Sequence, residues 1–166
     1  FYIQLSNPGN ATINGTGKAI ATIICTDGTY VPIDDAGYNA PTSYPGLSLS
    51  WSDEFDSTSL DLTSWNYETG GGGWGNNELE NYTNSNKNSY LTKGYLVLEA
   101  RQEAAGTNSY TSARLQTKGK REFKYGRMDI RAKLPKGKGM WPAIWMLGSN
   151  ILTSPWPACG EIDIME

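Results

Sequence analysis

The sequence predicts an all-β protein, and three observations carry that prediction. From Ser48 onward, runs of four to eight residues rich in Ile, Leu, Val, Tyr and Trp alternate with clusters of Gly, Asn, Asp and Pro, the cadence of short strands joined by turns. No window of eleven or more residues carries a 3.6-residue apolar period, which argues against a helix of ordinary length. Glycine is abundant, 19 residues in 166, while only 19% of residues are charged, so the chain is turn-rich without the charge excess that opposes a core.

The elements follow in order. FYIQL and KAIATIIC are two short runs separated by SNPGNATINGTG, whose Asn-Pro-Gly and Asn-Gly pairs are strong turn formers; they predict a β-hairpin at residues 1–26. A lone hairpin is marginal in water, so it needs a sheet supplied from elsewhere. Residues 27–47 hold three Pro and three Gly without apolar periodicity and read as a linker, placing a boundary before Ser48. The predicted strands beyond it are LSLSW, YLVLEAR, YTSARLQT, GRMDIRAKL, MWPAIWML and EIDIME. In the fourth, Met128, Ile130, Ala132 and Leu134 alternate with Arg127, Asp129, Arg131 and Lys133, which predicts one buried and one wet face.

Composition removes several chemistries. With no His and only Cys25 and Cys159 as thiols, His-dependent triads and zinc sites built from His or several Cys are excluded within this chain. The two Cys lie in unrelated segments and are read as two buried thiols rather than a disulfide. Residues 101–140 carry 11 of the 14 basic side chains against Glu103, Glu122 and Asp129, but these are spread over strand faces and turns, so a solvated face is favoured over a nucleic-acid surface. No apolar run reaches the roughly 18 residues that a membrane span needs, and no signal peptide is visible.

The chain ends GEIDIME, with Glu161, Asp163 and Glu166 inside six residues. Stability does not select three crowded acids on a strand. With a period of 2, Glu161 and Asp163 share a face and Glu166 points away; one extra residue, a β-bulge, returns Glu166 to their side. Two carboxylates so arranged are the equipment of a retaining glycosidase, which needs them about 5 to 5.5 Å apart. Trp141 and Trp145, four apart, share a strand face on which indoles can stack on sugar rings, or else pack into the core. GGGGWGNNELENYT puts Trp74 and Asn76 in a Gly-rich loop suited to carry binding groups; it lacks the Lys-Ser/Thr ending of a phosphate-binding loop.

WSDEFDS, SWNYETGGGGWGNNELENYT, YTSARLQTKGKREFKYGRMDIRAKLPKGKGMWPAIWMLG and WPACGEIDIME together resemble the successive motifs of glycoside hydrolase family 16, in particular its bacterial laminarinases, the endo-β-1,3-glucanases. The E-x-D-x-x-E ending matches the bulged form of the family motif. The resemblance implies a β-sandwich jelly roll, of which residues 48–166 would be the N-terminal half, and retaining endo-acting cleavage of β-1,3-glucan through a covalent glycosyl-enzyme. It implies Glu161 as nucleophile, Glu166 as acid/base and Asp163 as the residue that tunes the nucleophile. Asn76, Arg114, Trp141 and Trp145 match substrate-binding positions. The family often binds a structural calcium, and Glu54 and Gly94 resemble two of its ligands, the third coming from beyond this chain; catalysis itself needs no cofactor. Secretion or display at the cell surface and a polysaccharide partner follow from the family. Residues 1–26 resemble the closing strands of a Calx-beta domain, implying further domains in the same parent chain. The alternatives are a family member acting on agarose, carrageenan or mixed-linkage glucan, and a non-catalytic glucan-binding module, which has no need of the acidic triplet.

Overall fold

A computed structural model describes residues 40–166 and, upstream of them, the strands Ile3–Gln4 and Ile20–Cys25. The described residues contain twelve β-strands and no helix. They are β1 (Ile3–Gln4), β2 (Ile20–Cys25), β3 (Asn66–Glu68), β4 (Glu80–Tyr82), β5 (Ser89–Thr92), β6 (Tyr95–Ala100), β7 (Tyr110–Ser112), β8 (Arg114–Gln116), β9 (Arg127–Met128), β10 (Arg131–Lys133), β11 (Ile144–Leu147) and β12 (Glu161–Met165). The all-β expectation holds.

The centre of the fold is β6, YLVLEA, in which Tyr95, Leu96 and Val97 are all buried, so both faces of the strand are covered. It forms a hairpin with β5 through Lys93 and Gly94, which both take positive φ, 52° and 76°; a two-residue turn of that kind matches the twist of the flanking strands. On the other edge of β6 lies β2, parallel to it, and then β10, giving the sheet order β10-β2-β6-β5. The predicted N-terminal hairpin is therefore replaced. β1 pairs with β9 and β2 with β6 and β10, and the two do not pair with each other. The physical reason is that β6 has an edge to satisfy opposite β5, and a six-residue partner along all of β6 gains more ladder than the two residues of β1 offer.

Other expectations shift too. LSLSW forms no strand; Trp51 instead joins an aromatic cluster with Trp65 and Phe123, ring centroids 5.8 and 6.0 Å away. Asp53 ties this cluster, accepting from the Trp65 indole at 2.7 Å and the Phe55 amide at 3.0 Å. Strands β3, β4 and β5 were not anticipated. In GRMDIRAKL Met128 is half-buried and Asp129 exposed as expected, but from Ile130 on the faces are reversed: Ile130, Ala132 and Leu134 are exposed while Arg131 and Lys133 are half-buried. Alternation fixes which residues share a face, not which face is covered, and among the described residues nothing lies over the apolar one. Cys159 is a free, half-buried thiol, not a fully buried one, and the side chain of Cys25 lies outside the described residues. Residues 27–39 of the expected linker also lie outside them, but its C-terminal end is docked: Tyr44 sits under the Arg127 guanidinium at 3.9 Å and donates to Asp129.

Below the central hairpin, buried Asn88 ties β6 and β7 to the segment between β4 and β5. Its amide donates to the Glu99 carbonyl and to the Thr111 hydroxyl, both at 3.0 Å, and its carbonyl accepts from Thr83 at 2.6 Å. A side chain with no exposure has to be satisfied in this way, and the network carries β7 and the loop before β5 as one unit.

Candidate active site

The ribbon β11–β12 carries the acids. Leu147 pairs with Glu161, Met146 with Ile162 and Trp145 with Asp163, after which Ile144 pairs with Met165. Ile164 is thus the extra residue of a β-bulge, where the spacing of the acids demanded one. Residues directly opposite in an antiparallel pair point to the same side, so Glu161 and Asp163 share the face of Trp145. Past the bulge Met165 opposes Ile144 on the other face, which returns Glu166 to the first. The contact that follows is present: Trp141 Nε1 donates to Glu166 Oε1 at 2.9 Å. Trp141 lies outside the strand proper, yet exposure alternates through residues 141–145, so both Trp look outward from one face, at 56% and 37% exposure. Neither indole is packed into the buried core of the described residues. Glu161, Asp163 and Glu166 are all exposed on it.

The approach of β12 to β11 needs a glycine. A Cβ on Gly148 would collide with the Cys159 carbonyl, so only Gly lets the two loops close ahead of Glu161.

Arg114, on β8, joins this face to the Gly-rich loop. Its Nε donates to Glu68 Oε2 at 2.6 Å, and its guanidinium lies 5.0 Å from the Trp145 ring, 4.8 Å from Trp74 and 5.8 Å from Tyr82. Cation–π contacts of this length fix a guanidinium in place. In the loop, Trp74 donates to the Gly70 carbonyl at 3.0 Å and meets Tyr82 edge-on at 5.6 Å. Asn76, exposed, donates to Glu78 Oε1 at 3.3 Å. The Tyr82 hydroxyl lies 2.6 Å from Glu78 Oε2 and 2.9 Å from Glu80 Oε1. Burial and then the Glu78 carboxylate push this phenol far above its ordinary value, so it remains a donor at any working pH.

Asn76, Arg114, Trp145, Asp163 and the flanking Glu161 and Glu166 are therefore carried on one connected set of elements. Glu68, Glu78 and Tyr82 were missed by the sequence reading. The signal available was the run ELENY itself, two acids astride a strand beside a Tyr, directly after the glycines.

Glu54 and Gly94 lie apart from this face. The Glu54 carbonyl oxygen is 3.8 Å from where a Gly94 Cβ would sit, and Glu54 Oε2 is buried without a hydrogen-bond partner. Oxygen donors of this kind suit a hard cation, but calcium takes six to eight oxygens, and no group of three His, Cys, Asp or Glu among the described residues is placed to hold a metal. The pair fits as part of a calcium shell, not as a whole one. The expected basic surface is largely engaged internally: Lys120 donates to the Leu62 and Trp65 carbonyls, Arg121 to Ser64, and Arg127 pairs with Asp129.

The family model for the XgeA-like catalytic GH16 domain matches residues 75–166, more than half of the chain. The chain belongs to glycoside hydrolase family 16. The beta-glucanase of Rhodothermus marinus is 51% identical over 126 residues, covering 74% of this chain and 44% of that protein. The glucan endo-1,3-beta-glucosidase A1 of Niallia circulans is 43% identical over 150 residues, 80% of this chain and 22% of that one. Among solved structures, the catalytic domain of the endo-1,3-beta-glucanase (laminarinase) from Thermotoga petrophila superposes with a TM-score of 0.66 at 53% identity, covering 71% of this chain and 50% of that one. The fold is thus that of the laminarinase β-sandwich jelly roll, and the chain spans about half or less of the length of these relatives.

Proposed function

We propose that residues 48–166 are the N-terminal half of the catalytic domain of a retaining, endo-acting β-1,3-glucanase. The observation that carries this reading is the bulge at Ile164, which puts Glu161, Asp163 and Glu166 on the same face of the ribbon as Trp141 and Trp145. Glu161 attacks the anomeric carbon and the bond to the leaving oxygen breaks as Glu166 protonates that oxygen. The glycosyl ester on Glu161 is then hydrolysed by water that gives its proton to Glu166, restoring both groups. Asp163, between them on the same face, orients Glu161. Asn76, Arg114, Trp141 and Trp145 bind the glucan, the two exposed indoles by stacking and Asn76 and Arg114 by hydrogen bonds to sugar hydroxyls.

A non-catalytic glucan-binding module is disfavoured by the same face, because exposed like charges on one strand serve no binding purpose that the aromatics do not already serve. Reducing-sugar release by the whole parent protein from laminarin, agarose, carrageenan and lichenan separates the substrates. Laminarin is expected to be cut fastest; preference for agarose or carrageenan would overturn the assignment.

Three further parts belong to the same proposal. Glu54 and Gly94 contribute oxygens to a structural calcium, which would stiffen the β5–β6 turn; melting temperature with calcium and with chelator tests it. The protein acts outside the cell or at its surface, where polymeric glucan is met. Residues 1–26 close a Calx-beta-like domain of the whole parent chain, where β1 and β2 would exchange their pairing with β9, β6 and β10 for strands of that domain; limited proteolysis within the linker at residues 27–47 of the parent tests the division.

A further inference from the structure

A carboxylate that is only 8% exposed is stable only when its oxygens are answered, and the Glu78 side chain is answered by groups on the binding face. Its Oε1 accepts from Asn76 Nδ2 at 3.3 Å and faces Arg114 Nη1 at 3.9 Å, and its Oε2 accepts from the Tyr82 hydroxyl at 2.6 Å. Glu78 is too buried to touch a polymer itself, while Asn76 is exposed and Arg114 lies between the Trp74 and Trp145 rings. One carboxylate thus connects two residues that are 38 positions apart in sequence and sit on different elements.

The backbone gives an independent reason. Trp74 takes a φ of 46° between Gly73 at 80° and Gly75 at 86°, and Asn77, two residues beyond Gly75, takes 59°. Side-chain-bearing residues persist in the left-handed region only where the surroundings over-determine them, and such sites concentrate at ligand clamps. Glu78 supplies part of that constraint, its own amide donating to the Gly73 carbonyl at 3.2 Å while its side chain holds Asn76. A purely structural acid at the foot of a surface loop has no need to gather the two polar binding candidates.

We propose that Glu78 is a positioning residue for glucan recognition: its carboxylate, oriented by Tyr82, locks the Asn76 amide and the Arg114 guanidinium into one recognition unit beside Trp74 and Trp145. This rests on the reading of that face as a glucan site. Loss of the lock lets Arg114 swing on its remaining tie to Glu68 and frees Asn76, so the ground-state grip on the polymer weakens while the acids on β12 are untouched.

The test uses the whole catalytic domain. Glu78→Gln keeps the shape and one carbonyl oxygen but not the charge; it is expected to raise KM for laminarin about tenfold with kcat within about twofold, the signature of lost uniform binding. Glu78→Asp should recover part of this. In an Arg114→Lys background Glu78→Gln should add less than it does alone, because the part of its effect that runs through Arg114 is already lost and only the part through Asn76 remains. Tyr82→Phe, which keeps the carboxylate, should move KM in the same direction and serves if the Gln variant fails to fold. The Arg114 Nε–H resonance, assigned with Arg114→Lys, should shift and broaden in Glu78→Gln. Independent, multiplicative effects in the double variant, a fall in kcat at unchanged KM, or an unmoved Arg114 resonance would each overturn the proposal. A parent that cuts no β-1,3-glucan overturns the functional reading instead, and the resonance still decides the role of Glu78.

Discussion

Trp141 donates from its indole Nε1 to Glu166 Oε1 at 2.9 Å, although 25 residues separate the two in the chain. The contact exists because Trp141 and Glu166 lie at the same end of the β11–β12 ribbon and the bulge turns Glu166 back to the face of the indole. It gives Trp141 two separable contributions, a flat ring and a hydrogen-bond donor.

Trp141→Ala and Trp145→Ala are expected to leave the whole domain folded. A Trp→Ala change in a core costs about 3 to 5 kcal/mol. At 56% and 37% exposure neither ring is fully buried, so the expected loss stays below that range, about 1–2 kcal/mol at Trp141 and about 2–3 kcal/mol at Trp145, with about 2–4 °C of melting temperature for each kcal/mol in a domain of this class. Laminarin affinity should drop about tenfold. Trp141→Phe keeps a ring and removes the donor, and should lower kcat more than it raises KM. Calorimetry and steady-state kinetics read all three; a large stability loss with intact affinity would assign that Trp to the core.

Glu161→Gln and Glu166→Gln should each nearly abolish hydrolysis while laminarin still binds, because the amide keeps the shape but neither the charge nor the proton. With an activated substrate and azide, replacing Glu161 by Ala should give the inverted glycosyl azide, and replacing Glu166 by Ala the retained one. The reverse pattern of products would exchange the two roles.

Asp61 provides a pH test away from β11 and β12 in sequence. Its carboxylate accepts from the Thr63 hydroxyl at 2.6 Å, the Ser64 hydroxyl at 2.7 Å and the Thr63 amide at 2.9 Å, and these bonds, the Thr63 hydroxyl first, hold it at about 2 against an ordinary 3.8. A lowered value means that the stabilising contribution is complete above the ordinary value and is lost as pH falls through the lowered one. The difference in melting temperature between wild type and Asp61→Asn should accordingly shrink as pH falls from 3.8 to about 2. A difference that stays constant through that interval would show that the three bonds do not depend on the charge.

What could be read in advance was the part written in local spacing. The acids at 161, 163 and 166 require one extra residue to share a face, and the register shift supplies it at Ile164. The exposure of Ile130 and Leu134 was not legible, since alternation groups residues by face without saying what covers the face. Strands β3 and β4, of three residues each, are too short to show any period and exist through their partners β8 and β7. Glu78 escaped for the same reason: nothing in ELENY says which Glu is buried, because its burial is set by Arg114 and Tyr82 across the fold.

The 166-residue chain by itself should show no glucanase activity. Tyr125, Ile130, Leu134 and Ile162 are exposed, and β11–β12 is a ribbon of two strands, which is marginal without a covering layer. Catalysis needs the carboxylates held within fractions of an ångström, which a fraying ribbon does not provide. Light scattering and dye binding should report association of the purified chain. Laminarin cleavage above that of its own Glu161→Gln variant would refute this expectation.

As the proposed nucleophile, Glu161 would form a covalent bond to the sugar. Treating the whole domain with a mechanism-based β-1,3-glucoside inactivator and mapping the labelled peptide by mass spectrometry tests it most directly. One sugar adduct is expected, on Glu161, with activity lost in proportion to labelling. An adduct on Glu166, or laminarin cleavage that proceeds with inversion and leaves no adduct, would contradict it.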